Sequence, residues 1–379
     1  MHILVVGAGF AGAVAARVLA EAGHAVCVID KRSHVAGNAY DEWNAQGVRI
    51  HRYGPHLFHT NNLMVVGWLS RFTGWTPYEH RVTALLPSGE TVPLPINRRT
   101  LELVFGRRFK SEGHAEAHLK SVARPISEIG NARDYLLSQI GETLTDLFFA
   151  PYTRKMWGYD LAEMAPAVVK RVPIGFSKED RYFPSDAFQA LPKDGYTRLV
   201  ENILDHPCIG VELDRPFERT VLRDFDHAFL CMPIDEFFEN ALGPLPYRSI
   251  RFHHQDIRRA DVRAETATVN RTDNSAVTRS TYWHLLPGHD LKVSDNVTVT
   301  LEEPCGYEDN EYERYYPIKT SDDRFGERYR NYAKLAAREP GLTFIGRCGT
   351  YQYLDMHQVI SQTLTIVRKW LNQHPSNRG

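Results

Sequence analysis

Gly7, Gly9 and Gly12 form a G-x-G-x-x-G turn between the apolar run HILVV (2–6) and the run AVAARVLAEAG, which ends at Gly23. No other feature narrows the fold as far. The spacing predicts strand, turn and helix, and AVCVID then supplies a second strand, so residues 2–30 read as a βαβ unit. In such a unit the first glycine permits the tight turn, the second lets a pyrophosphate reach the backbone, and the third lets helix pack on strand. Asp30, at the end of the second strand, is placed to accept hydrogen bonds from ribose hydroxyls. The turn alone leaves NAD and FAD open.

A chain of 379 residues with 43 % hydrophobic composition can bury a large core and divide into two or three domains. Its formal charge of -1 gives no general pull toward nucleic acid or anionic lipid. Five scattered cysteines (Cys27, Cys208, Cys231, Cys305 and Cys348) form no CxxC pair and no metal-ligand spacing, which points to a reducing compartment. No stretch approaches the roughly 18 uninterrupted apolar residues of a membrane helix. The expectation is a cytoplasmic protein with no membrane insertion and no metal.

Further along, residues 98–170 change to helical periodicity, with Leu136, Leu137, Ile140, Leu144 and Leu147 on one face. From about 205 to 315, short alternating runs such as ATVNRT and NVTVTLEE predict an antiparallel sheet. The chain closes with the strand LTFIG and a helix striped by Val359, Ile360, Thr363, Val367 and Trp370, for which Asp355 and Gln358 make a capping box. The fold class expected is α/β. It comprises a Rossmann-type dinucleotide-binding domain (1–75, 190–235 and 316–379), an inserted helical domain (98–189) and an antiparallel β-sheet domain (76–97 and 236–315).

Arg32 and Gly37, in KRSHVAGNAY, resemble the second glycine-bearing element of flavoproteins of the glutathione-reductase type, which favours FAD. The runs HRYGPHLFHT (51–60), PYTRKMWG (151–158), VVKRVP (168–173), DRYFP (180–184), ALPKDGYTRL (190–199), YYP (315–317) and YQYLDMHQVI (351–360) follow in order. Together they resemble the bacterial UDP-galactopyranose mutases over nearly the whole chain. The resemblance implies a homodimeric flavoprotein in which reduced FAD attacks the sugar anomeric carbon through N5, expels the nucleotide and forms a flavin–sugar adduct. The sugar ring then opens and recloses with no net oxidation. No Ser/His/Asp or Cys/His constellation competes with that chemistry.

The resemblance also assigns residues. For the departing diphosphate it implies Arg171, beside a mobile loop, with Arg279, Tyr182, Tyr316 and Tyr353, since developing charge calls for guanidinium and phenol donors. For the base and sugar it implies Arg81, Phe148, Tyr152, Thr153, Trp157 and Phe183. Phe148 and Tyr152 share a helix side if the helix persists through Pro151, and otherwise read as core. His59 is assigned to the reaction centre. The cofactor set is Gly7, Gly9, Phe10, Gly12, Asp30, Lys31, Asn38, His56, Arg347, Asp355 and Met356.

Several positions depart from the family's common pattern. Arg81 stands where some members have Asn, Gly175 where an Arg is frequent, and Leu354 where a Tyr is usual; STYWHLLPGHD after Arg279 is also atypical. These leave the sugar and base open, with UDP-N-acetylgalactosamine or a GDP-sugar beside UDP-galactopyranose. Two other classes stay open: a flavin oxidoreductase of the amine-oxidase kind, and a mutase relative that works without flavin.

Overall fold

The computed structural model describes residues 1–170 and 172–374. His2–Val6 lies in the middle of a five-stranded parallel sheet and is flanked by Ala25–Ile29 on one side and His227–Leu230 on the other. Ile209–Glu212 and Leu342–Phe344 form the two edges. A strand covered on both faces needs an unbroken apolar run, and Ile3, Leu4 and Val5 are fully buried. Helix Phe10–Glu21 covers the sheet and packs against the C-terminal helix Met356–Gln373. That last helix buries Val359, Ile360, Thr363, Val367 and Trp370, as the stripe predicts, and the Asp355–Gln358 capping box is present. This parallel sheet with helices on its faces is a Rossmann-like layer.

The helical region comprises Arg98–Val104, Glu112–Val122, Ala132–Leu144 and Ala150–Trp157. The first three begin with side-chain caps. Asn97 accepts from the Thr100 N–H at 3.0 Å, Ser111 from His114 at 3.2 Å and Asn131 from Asp134 at 2.9 Å. Leu136, Leu137, Ile140 and Leu144 are buried, and Leu147 packs beside them. A π-helical turn, Thr145–Phe149, precedes Ala150–Trp157, and Pro151 sits in the first turn of that helix, where its missing N–H costs nothing. Phe148 and Tyr152 are therefore not on one continuous α-helical face.

The larger sheet has seven strands in the order Tyr316–Pro317, Tyr247–Arg258, Asn296–Gly306, Arg279–Tyr282, Thr268–Arg271, Val82–Leu85, Thr91–Leu94. The expectation of a purely antiparallel sheet is corrected here, because Thr268–Arg271 pairs parallel to Val82–Leu85. Alternating polarity marks a half-buried strand but carries no information on its direction. Within 205–315, moreover, Ile209–Glu212 and His227–Leu230 belong to the parallel layer. A small sheet of Phe58–Thr60, Phe188–Pro192 and Trp75–Pro77 sits apart from both, with the Phe58, Trp75 and Phe188 rings clustered. Among the described residues no helix is long and apolar enough to cross a membrane.

Candidate active site

The glycine turn is built as closely as its spacing requires. A Cβ on Gly12 would lie 1.7 Å from the Gly7 carbonyl oxygen, so the helix can meet the strand only with no side chain there. Gly7 adopts φ +107°, and the Gly9 and Gly37 backbones approach each other so closely that a Cβ on Gly37 would be 3.1 Å from the Gly9 Cα. The two glycine-bearing elements thus meet in one cradle. Asp30 accepts the Ala8 and Arg32 backbone N–H groups at 2.7 and 2.9 Å, one on each oxygen, and so ties the turn to the second strand. A carboxylate with two acceptor sites used keeps two for a hydroxyl-bearing ligand. Arg32 donates to Asn38 at 2.9 Å and pairs with Glu313.

A second constellation gathers around Arg279, the first residue of its strand. Its register partner across the ladder is Glu302, and an Nη1 nitrogen lies 3.6 Å from Oε2. Burial opposes the guanidinium charge, but Glu302 and the surrounding phenols hold its pKa above the ordinary value. Those phenols are Tyr152, Tyr316 and Tyr182. Glu302 itself is 3 % exposed; burial pushes its pKa up, with Arg279 opposing. Tyr316 stacks on Tyr353 at 5.1 Å, and Trp157 stands 6.3 Å from each. The Arg347 guanidinium lies over the Tyr316 ring at 5.3 Å and donates to the Tyr315 carbonyl at 2.5 Å. Burial raises the Tyr316 pKa well above the usual phenol value, so this hydroxyl remains a donor at neutral pH.

His59 and His56 are each held by a fixed partner. His59 stacks on Phe183 at 3.4 Å and places Nδ1 2.5 Å from an Asp186 oxygen. His56 is held by its Nδ1 to the Gly54 carbonyl at 2.8 Å, and its backbone N–H donates to the His51 Nδ1 at 3.0 Å. Burial, His51 and Arg347 bring its pKa down to about 3, so the ring is neutral.

Other expected positions sit elsewhere. Arg81 is 44 % exposed and pairs with Asp180 at 3.0 Å and Glu79 at 3.5 Å, so its guanidinium is not among the gathered donors. Phe148 and Thr153 are buried in the helical core. Phe10 packs edge-on to Tyr196 at 6.1 Å, Lys31 is exposed 4.0 Å from Glu313, and Asp355 with Met356 opens the last helix. Arg171 lies outside the described residues. Two residues that the expected set does not include stand beside the Arg279 cluster: Glu302 and His80. The burial of Glu302 is visible only as an alternating position in NVTVTLEE, which gives no hint of an ion-pair partner.

Fold and site together define an α/β protein with a Rossmann-like dinucleotide-binding layer and a cluster of Arg and Tyr side chains suited to a phosphorylated ligand. The family model for UDP-galactopyranose mutase matches residues 147–353, and that for an NAD(P)-binding Rossmann-like domain matches 5–71. A probable UDP-galactopyranose mutase of Klebsiella pneumoniae is 34 % identical over 98 % of this chain and 95 % of its own length. The dTDP-fucopyranose mutase of Escherichia coli is 31 % identical over 98 % and 99 %. A crystal structure of reduced UDP-galactopyranose mutase superposes with a TM-score of 0.73 at 15 % identity, covering 98 % of this chain and 96 % of that one. The chain belongs to the UDP-galactopyranose mutase family.

Proposed function

We propose that this enzyme interconverts the pyranose and furanose forms of a nucleotide-diphosphate sugar, UDP-galactopyranose first, with FAD bound in reduced form. The observation that carries the reading is Arg279, half-buried with its charge held by Glu302 and surrounded by Tyr152, Tyr182 and Tyr316. Fixed donors of this kind stabilise charge on a leaving diphosphate without reorganising. Arg279, Tyr316 and Tyr353 bind that group, with Arg171 as a second guanidinium. Trp157, Phe183 and Tyr182 wall the sugar, and Tyr152 faces the base.

The chain's residues fit the cofactor. Gly7, Gly9, Gly12 and Gly37 leave room for a pyrophosphate, Asp30 keeps acceptor sites for a ribose, and Arg347 with neutral His56 borders the ring system. Reduced flavin would supply an electron-rich nitrogen toward the anomeric carbon. His59, oriented by Asp186, is the group we assign to hold a proton while the ring opens.

A second reading, a dTDP-linked 6-deoxy sugar, is favoured by the near-equal likeness to the dTDP-fucopyranose mutase. The test is dithionite-reduced enzyme given UDP-galactopyranose or dTDP-fucopyranose, with furanose products separated by chromatography. Many turnovers without consumption of reductant are expected, the oxidised enzyme being silent. Cyanoborohydride added during turnover should raise the mass of the extracted flavin by that of the sugar. Equal activity in both redox states with no mass gain would overturn the flavin-dependent reading.

A further inference from the structure

His80 precedes the strand Val82–Leu85, and its neighbour Arg81 points out to Asp180 and Glu79. Alternation along an extended segment therefore turns His80 inward. It is 5 % exposed. Its carbonyl accepts the Tyr182 N–H at 2.7 Å, and its ring lies 5.8 Å from the Tyr182 ring and 6.3 Å from that of Phe183. Burial, with the Arg279 and His59 charges facing it, lowers its pKa to about 3. The imidazole is neutral and borders four residues of the proposed sugar and diphosphate site.

Its two nitrogens are not equivalent. Nδ1 lies 3.3 Å from the Tyr78 hydroxyl. Burial raises the Tyr78 pKa to about 12, so that phenol keeps its proton, and among the described residues Nδ1 is its one hydrogen-bond partner. Donation from Tyr78 leaves the ring hydrogen on Nε2. Nε2 has no hydrogen-bond partner among the described residues and is not one of the fully sealed, unpartnered buried atoms, and the rings beside the imidazole are those of Tyr182 and Phe183.

We propose that His80 is a specificity-determining residue whose Nε2–H donates to one hydroxyl oxygen of the substrate's sugar. The inference rests on the mutase reading above. A single buried donor discriminates strongly, because a sugar lacking the matching oxygen leaves the N–H desolvated and unpaired. Arg81, one position on, contributes nothing to this contact.

The test couples protein and substrate changes. Reduced wild type, His80→Phe and His80→Met are compared on the galactopyranose nucleotide and on its 2-, 3- and 6-deoxy analogues, with whichever nucleotide the wild type accepts. The 4-deoxy sugar is omitted, because O4 closes the five-membered ring. Bound flavin, read by absorbance, should be unchanged in both variants. For the parent sugar, kcat/KM should fall by about 10- to 100-fold in each variant. For one deoxy analogue, wild type and variants should turn over alike, since the contact is already gone. Equal losses on every sugar would overturn the assignment and leave His80 a packing residue; the Met variant decides if the Phe variant does not fold. A wild type silent on both nucleotides overturns the mutase reading itself, and His80's role with it.

Discussion

Arg279 and Glu302 stand opposite each other across an antiparallel ladder, with nitrogen and oxygen 3.6 Å apart and the carboxylate almost wholly enclosed. The geometry makes the arginine's removal a double event. Arg279→Ala leaves a buried carboxylate without its counter-charge, at a cost of about 3 kcal/mol in stability, and also removes the proposed donor to the diphosphate. Arg279→Lys should keep flavin and fold while lowering turnover by about 100-fold, since an ammonium cannot present a planar fork. Adding Glu302→Gln to Arg279→Ala should restore the melting temperature but not turnover. Recovery of both would show that the arginine serves folding alone.

The Gly12 position tests the cofactor cradle. A Cβ there would sit 1.7 Å from the Gly7 oxygen and 3.1 Å from a Val5 methyl. Gly12→Val should therefore purify without flavin absorbance and lose about 3 kcal/mol in a denaturant melt. Gly67→Ala, in the helix Leu63–Leu69 with nothing within 4 Å of the added methyl, is the matched control. It should gain about 0.5 kcal/mol. Full flavin content in Gly12→Val would remove the turn from the cofactor site.

Three desolvated histidines set an acid limit on stability. Burial lowers the pKa of His51, His56 and His80 to about 3 in each case. The unfolded chain takes up these protons near pH 6.5 and the folded one does not, so the stability they contribute is whole above about pH 7 and lost as pH falls from about 6.5 toward 3. Each histidine contributes a slope of up to about 1.4 kcal/mol per pH unit in that window. Urea melts at pH 7.5, 6 and 5 check this, and His80→Phe should show the shallower decline. A stability that rises on acidification contradicts the burial of neutral imidazoles.

Tyr316 should act as a neutral donor across the working pH range, because burial raises its pKa. Tyr316→Phe should lower kcat/KM by about tenfold with flavin retained. The wild-type pH profile should show no phenol ionisation below about pH 10. A limb near pH 8 that vanishes in the Phe variant would mean the phenol ionises in the working enzyme.

The sequence by itself determined the local units. Strand, glycine turn, helix and second strand follow from hydrophobic period and from a spacing that only close backbone packing requires, and the capping box at Asp355 is likewise a matter of residues three apart. The family resemblance named Arg279, Tyr316, Tyr353 and Trp157, which the fold brings together. Tertiary structure decided what depends on partners distant in the chain. Strand direction in the seven-stranded sheet was decided there, because alternation looks the same for a parallel and an antiparallel neighbour. That His80 turns inward and Arg81 outward followed from which side of an extended segment faces the core. The burial of Glu302 beside Arg279 came from a ladder register joining residues 23 apart, and no local pattern encodes register.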